Sequence, residues 1–319
     1  MNQDTGTIIG ILSLMISVSS SVYLLFHHLM YFRCPEYQLY ICRIILMVPI
    51  YCLTSCLSII YPSSTEYFSM IRDFYEAFVI YSFTMLLINY IGGERRLSIS
   101  FELKDHIRHP WPLNYLFRSF KPGGVFVRLV KLGVLQFVMF RPLLSFLSII
   151  LTELGLSHED TFHWKDGFLY IFILSNISFT LALYGLILFY VTAEELLEPF
   201  KPLPKFLCIK GVIFFSYWQG IALLILQNLG FLGASKEMTA KDRSNMYQNT
   251  LVCIEMVIAS FAHYYAFPYN EFESDCNSTQ PINRMTSGIK SILSAQDVIN
   301  QVKDSISPQS YDFELKYEN

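Results

Sequence analysis

The stretch Lys131–Pro142, KLGVLQFVMFRP, decides the fold. It runs on through Leu143, Leu144, Phe146, Leu147, Ile149, Ile150 and Leu151, an apolar segment of the length that crosses a bilayer, which takes about 20 mainly apolar residues. Arg141 lies inside it, too far from either end to reach a headgroup layer easily. A charge at mid-membrane costs roughly 2.5–3.5 kcal/mol or more unless it is paired or faces water. Arg141 therefore predicts a carboxylate partner or a polar cavity on a neighbouring helix.

Composition agrees with a membrane setting. The 319 residues are 53% hydrophobic, 16% aromatic and only 15% charged, against about 25% charged in soluble domains. The formal net charge of -3 conceals an asymmetric distribution of Lys and Arg, and it carries no sign of nucleic-acid binding.

Seven segments are long and apolar enough to span: Thr7 to Phe32, Ile41 to Tyr61, Phe74 to Ile91, Leu129 to Leu154, Phe168 to Val191, Phe206 to Leu232 and Tyr247 to Pro268. The first lacks a basic flank and a small-residue cleavage site, so it reads as a retained span. Helix is the open-ended structure that satisfies its own backbone in lipid, so the fold class is an all-α polytopic integral membrane protein with seven transmembrane helices. With the N-terminus outside, fifteen Lys and Arg fall in the cytoplasmic connections and tail and five on the opposite side. The positive-inside rule then predicts an outer N-terminus and a cytoplasmic C-terminus. Residues 1–268 form the transmembrane domain. Residues 269–319 form a largely flexible cytoplasmic tail, with helical periodicity over Ile289 to Ile306 that suits one amphipathic helix.

The longest connection joins spans 3 and 4. It interleaves Arg95, Arg96, Lys104, Arg108, Arg118 and Lys121 with Trp111 and other apolar residues, a pattern suited to lying on an anionic inner leaflet. Its basic residues also serve simply to enforce topology.

Counting along each span at about 1.5 Å per residue brings Arg141, Asn176, Gln219 and Glu255 to a similar depth. Arg141 and Glu255 are expected to face the bundle interior, directly paired or sharing one polar cavity. These four, with Glu76, are the candidate solute-binding residues; a buried ion pair that only fixes helix packing accounts for the same pattern. Arg43, Asp73, Asn89, Lys131, Glu194 and Lys210 lie nearer span ends, where snorkelling to the headgroups is expected.

No catalytic spacing is present: the histidines form no His-x-x-x-His pair, and there is neither a Gly-x-Ser-x-Gly elbow nor a phosphate loop. The expectation is a non-enzyme without metal or cofactor. Of the seven cysteines most lie within apolar runs, as small buried hydrophobes rather than a disulfide framework.

Five blocks carry a family resemblance: EAFVIYSFTMLLINYIGGE (Glu76–Glu94), KLGVLQFVMFRP (Lys131–Pro142), NISFTLALYGLILFY (Asn176–Tyr190), PLPKFLCIKGVIFFSYWQ (Pro202–Gln219) and CIEMVIASFAHYYAFPY (Cys253–Tyr269). In this order they resemble the heptahelical family that contains the organic solute transporter alpha subunit and transmembrane protein 184. Gly92-Gly93-Glu94 and the Lys131 block are more similar to the latter branch. The resemblance implies seven spans with the N-terminus outside, at the plasma membrane or an endomembrane such as the vacuole or endosome. It also implies facilitated movement of steroid-like organic anions, with a small single-span partner subunit or a second copy of the chain. Members of the family carry a cysteine cluster suited to acylation between spans 3 and 4, whereas Gly92 to Arg128 contains no cysteine.

Together these readings predict a protein that binds or transports an amphipathic organic solute, steroid- or lipid-like and anionic. The alternative is a non-transporting heptahelical scaffold or receptor in membrane trafficking or signalling.

Overall fold

A computed structural model describes residues 3–109, 113–115, 118–156, 167–229, 231, 239–272, 281–294 and 296–306. Among them the protein is all-helical: α1 (Gln3–Met30), α2 (Pro35–Ile45), α3 (Met47–Ile60), α4 (Thr65–Tyr90), α5 (Glu94–Glu102), α6 (Gly124–Glu153), α7 (Gly167–Leu197), α8 (Pro202–Asn228), α9 (Ala240–Ala266), α10 (Pro281–Leu293) and α11 (Gln296–Ile306). Five helices are long and apolar enough to cross a membrane: α1, the continuous pair α2–α3, α6, α7 and α9 with its following turn. The bent pair α4–α5 makes a sixth.

Two breaks have local causes. Proline at position 49 has no N–H to give to the Ile45 carbonyl, and the helical ladder of the second span is interrupted at Leu46. At this break the Arg43 carbonyl accepts the Tyr75 hydroxyl at 2.7 Å. The second break is Gly92-Gly93, where φ values of +95° and +89° need glycine. There the chain turns by 66° between α4 and α5, so α5 leaves the axis of α4 and packs on α6 with Leu97 and Phe101 buried.

Packing follows the side-chain sizes. In α1 a stripe of Gly6, Gly10, Ser13, Ser17 and Ser21 is buried, while Ile8, Leu12 and Met15 point outward. A Cβ on Gly10 would lie 3.3 Å from Ile59 Cδ1 and 3.5 Å from Cys56 Sγ. Small residues are what let membrane helices approach when lipid supplies no hydrophobic drive between them, and α1 accordingly lies against α3 and α9. Helix α4 is the opposite case, buried almost continuously from Glu76 to Ile88. It is the central post: α2 and α3 pack on one side and α6 on the other. Helix α7 then packs on α6, and α8 on α9. The outer faces of α1, α6 and α7 stay apolar and uncovered, with Leu143, Phe146, Ile177 and Leu181 among the exposed side chains. Such faces find a stable place against lipid or another protein surface rather than water.

Candidate functional site

Helix α4 begins at Thr65, nine residues before the span expected from hydropathy, so Arg72, Asp73, Tyr75 and Glu76 lie within a helix and turn toward its neighbours while Phe74 points outward. This corrects the snorkelling expected of Asp73 and the loop position expected of Arg72. It also identifies the partner of Arg141. The Arg141 guanidinium on α6 donates to Asp73 Oδ1 at 2.8 Å, and Ser145, one helical turn further along α6, donates to Asp73 Oδ2 at 2.6 Å. Both partners of the ion pair keep 27% side-chain exposure. Glu76 lies within electrostatic reach of the same guanidinium and is itself buried. The Nε of Arg141 is buried without a hydrogen-bond partner.

The direct Arg141–Glu255 pair is therefore not formed. Glu255 faces α8, where its carboxylate accepts from Ser216 at 3.2 Å. Gln248, two turns earlier on α9, donates to the Ser216 carbonyl at 2.7 Å. Gln219 lies one turn beyond Ser216, and the side-chain carbonyls of Gln219 and Gln248 are both buried and unpartnered. The reason is rotational: depth along a helix can be counted from sequence, but Glu255 shares a face with Gln248 toward α8.

Arg72 Nη1 donates to Ser55 on α3 at 2.8 Å and to Asn249 on α9 at 2.9 Å, and its Nη2 donates to Ser69 at 2.8 Å. Asn249 adjoins Gln248 in sequence, and Arg72 adjoins Asp73. Arg72 is within electrostatic reach of Asp73, so a polar row runs from Asn249 on α9 through Arg72 to Asp73 and Arg141 on α4–α6, while Glu255 is turned away from it toward α8. Counted from the end where α4 begins, these groups lie about 10–22 Å deep along their helices.

Asn176 is not part of this row. Its side-chain nitrogen donates to Phe172 of its own helix at 2.7 Å, which satisfies the group locally. One turn of α6 below Arg141, Gln136 bonds Ser178 on α7 and leaves its own side-chain oxygen unpartnered.

An apolar cavity of about 150 Å³ lies where α4, α7 and α8 converge, lined by Phe83, Leu87, Leu186, Ile187, Tyr190, Leu203 and Phe206. Below it Lys205 is buried, donating to the Tyr90 hydroxyl at 3.1 Å and the Phe200 carbonyl at 3.0 Å. Described residues of the connection between α5 and α6 pack against α6 and α7, Phe120 on Phe126 and His109 on Tyr184. Phe101 packs on Phe126 and Phe189, and Ile107 pairs with Phe120 across an isolated bridge. Lys104 is held by Glu195 at 2.8 Å and the Thr192 carbonyl at 3.0 Å. Arg95, Arg96, Arg108, Arg118 and Lys121 are exposed, and Trp111 lies outside the described residues.

Residues near the opposite end also depart from snorkelling. Lys131 bonds Glu94 at 2.5 Å, and Arg43 is fully buried in an ion pair with Asp297 of α11.

Comparison with known proteins fits this architecture. Residues 6–272 match the family model described as organic solute transporter Ostalpha. Protein LAZ1 of Arabidopsis thaliana is 34% identical over 271 residues, covering 80% of this chain and 56% of its own length. Protein LAZ1 homolog 1 of the same plant is 34% identical over 269 residues, 79% of this chain and 55% of its own. The chain thus spans about half the length of the curated relatives it matches. No solved structure matches. Long apolar helices, a match from α1 to the turn after α9, and LAZ1 relatives together make this integral membrane protein a member of the organic solute transporter Ostalpha family, on its transmembrane protein 184 branch.

Proposed function

We propose that the protein binds and facilitates the movement of an amphipathic organic solute, steroid- or lipid-like and anionic, through a seven-span domain with the N-terminus outside and the C-terminus cytoplasmic. Helix α8, 27 residues long, is the seventh span. The excess of Lys and Arg on the proposed inner side supports the orientation.

One observation carries the reading: in a chain of a solute-transporter family, Arg141 is embedded in apolar helix and keeps a donor without a partner. Its guanidinium suits the anionic head of a solute, and the apolar cavity between α4, α7 and α8 suits part of an apolar body. At about 150 Å³ that cavity is well below the ~300–1,000 Å³ of sites that enclose a drug-sized ligand. The arrangement is therefore a closed one, and α7 and α8 must separate to admit a whole solute. Gln219, Gln248 and Gln136 supply further unpartnered acceptors for a hydroxylated solute. A single-span partner or a second copy of the chain belongs against the uncovered apolar faces, at the plasma membrane or an endomembrane. Reconstituted flux of a labelled steroid conjugate tests the function. Wild type is expected to exceed empty liposomes and folded Arg141→Ala to lose most of the difference; no flux in wild type refutes the reading.

A further inference from the structure

Helices α10 and α11 lie beyond the family-matched residues 6–272, yet they are built into the bundle. Gly288 of α10 sits so close to α1 that a Cβ there would come within 2.7 Å of Leu29 and 3.2 Å of Phe32. Ile292 completes a buried cluster with Leu29, Phe32 and Cys42. Helix α11 then crosses toward α6 with Val298 and Val302 against the main core. It closes the end of the bundle that the proposed topology puts in the cytoplasm.

The centre of this contact is Arg43. Its guanidinium forms a two-pronged pair with Asp297, at 2.7 and 3.0 Å, and donates to the Ser294 carbonyl at 2.5 Å. It also lies over the Phe78 ring, 4.8 Å from the centroid. The pair is asymmetric: the Arg43 side chain is 1% exposed and that of Asp297 24%. Beside it, within electrostatic reach of Tyr40, Arg43 and Asp297, the Tyr81 hydroxyl is buried with no hydrogen-bond partner. This corner has a fixed cation, aromatic walls and a spare hydroxyl, and its carboxylate comes from a segment that water reaches.

We propose that Arg43, Phe78 and Tyr81 form an anion site for an organic monoanion with a flat apolar body, and that Asp297 is its tethered, displaceable occupant. Simple lifting of the native tail would strand a fully buried guanidinium, a large cost, so an anion that takes the place of Asp297 favours release of the tail. Binding and tail release are then linked, each weakened by the other's competitor to the same degree. The solute class is taken from the function proposed above, but the test reads the tail and needs no transport.

The experiment is hydrogen exchange of residues 281–306 in the full chain in phosphatidylcholine nanodiscs. The probe is naphthalene sulfonate, with uncharged naphthalene as control. The sulfonate is expected to speed exchange of α10 and α11 by about tenfold, as local opening governs exchange, and naphthalene is not. Asp297→Asn should give the fast rate without ligand, and Asp297→Glu should restore slow exchange. Gly288→Leu lifts α10 sterically while keeping both charges, so it should bind the sulfonate more tightly than wild type does. Tail exchange indifferent to the sulfonate, or unchanged affinity in Gly288→Leu, overturns the proposal even if flux is observed. The expected exchange pattern with no flux removes the transport reading and leaves the latch.

Discussion

The protein embeds two arginines in apolar helix and treats them differently. Arg43 is sealed: its side chain is 1% exposed, and Asp297 and the carbonyls at the end of α10 occupy its donors. Arg141 is held by Asp73 with both side chains 27% exposed, and its Nε is left without a partner. The first arrangement suits a fastener that has its ligand in place. The second suits a site that still has a bond to offer. The shortest separations are nearly equal, 2.7 and 2.8 Å; burial and the unused donor separate the two pairs.

The comparison breaks most visibly if Arg43 is removed. Arg43→Ala leaves Asp297 and the terminal carbonyls of α10 facing an apolar cavity, a loss expected to be about 3–5 kcal/mol by analogy with other buried pairs. A large fall in the thermal midpoint of the detergent-solubilised protein, with early loss of the tail helices, would show it. Arg141→Ala should be milder, about 1–3 kcal/mol, because Asp73 keeps its bond to Ser145 and some access to water. Equal losses in the two variants would erase the distinction drawn here. Exchanging the charges, Asp73→Arg with Arg141→Asp, should recover part of the loss, with a coupling of about 0.5–3 kcal/mol if the two side chains meet directly. Thermal midpoints of the double variant and both singles measure that term.

Glu255→Gln should cost under about 1 kcal/mol, since an amide oxygen accepts from Ser216 as a carboxylate does. A loss as large as that of Arg141→Ala would mean that Glu255 carries charge compensation for a partner on another helix. The smallest effect belongs to the connection after α5. Arg95→Gln and Arg96→Gln are expected to weaken binding of the segment 94–122 to anionic liposomes by about 1 kcal/mol for each charge removed. Binding that ignores both salt and these changes would assign the basic residues to topology alone.

What the sequence disclosed follows from what is local. The apolar runs located the helices because span length depends on nearby residues, and the depth of Arg141 within α6 came from the same counting. Hydropathy starts the third span at Phe74, whereas the helix begins at Thr65 and includes Glu66, Arg72 and Asp73, so Asp73 lies within the helix rather than at its end. Arg141 compensates the charge of Asp73, and Ser55 and Asn249 accept hydrogen bonds from Arg72; all three lie on other helices. The direct pairing expected between Glu255 and Arg141 is replaced by a Ser216 contact, since the facing of a helix is fixed by packing. The Arg43–Asp297 pair joins residues 254 positions apart. The amphipathic period of the tail was legible, but the receptor for its acidic residue was not.

In the proposed function a solute's anionic head is received at Arg141, in the seam between α4 and α6. A density map of the protein in nanodiscs with a steroid sulfate bound checks that placement. Head-group density is expected within hydrogen-bonding distance of Arg141, with the body directed toward α7 and α8. A map in which Arg141 keeps Asp73 alone, with no head group at its guanidinium, refutes the placement whether or not sulfate is seen at Arg43.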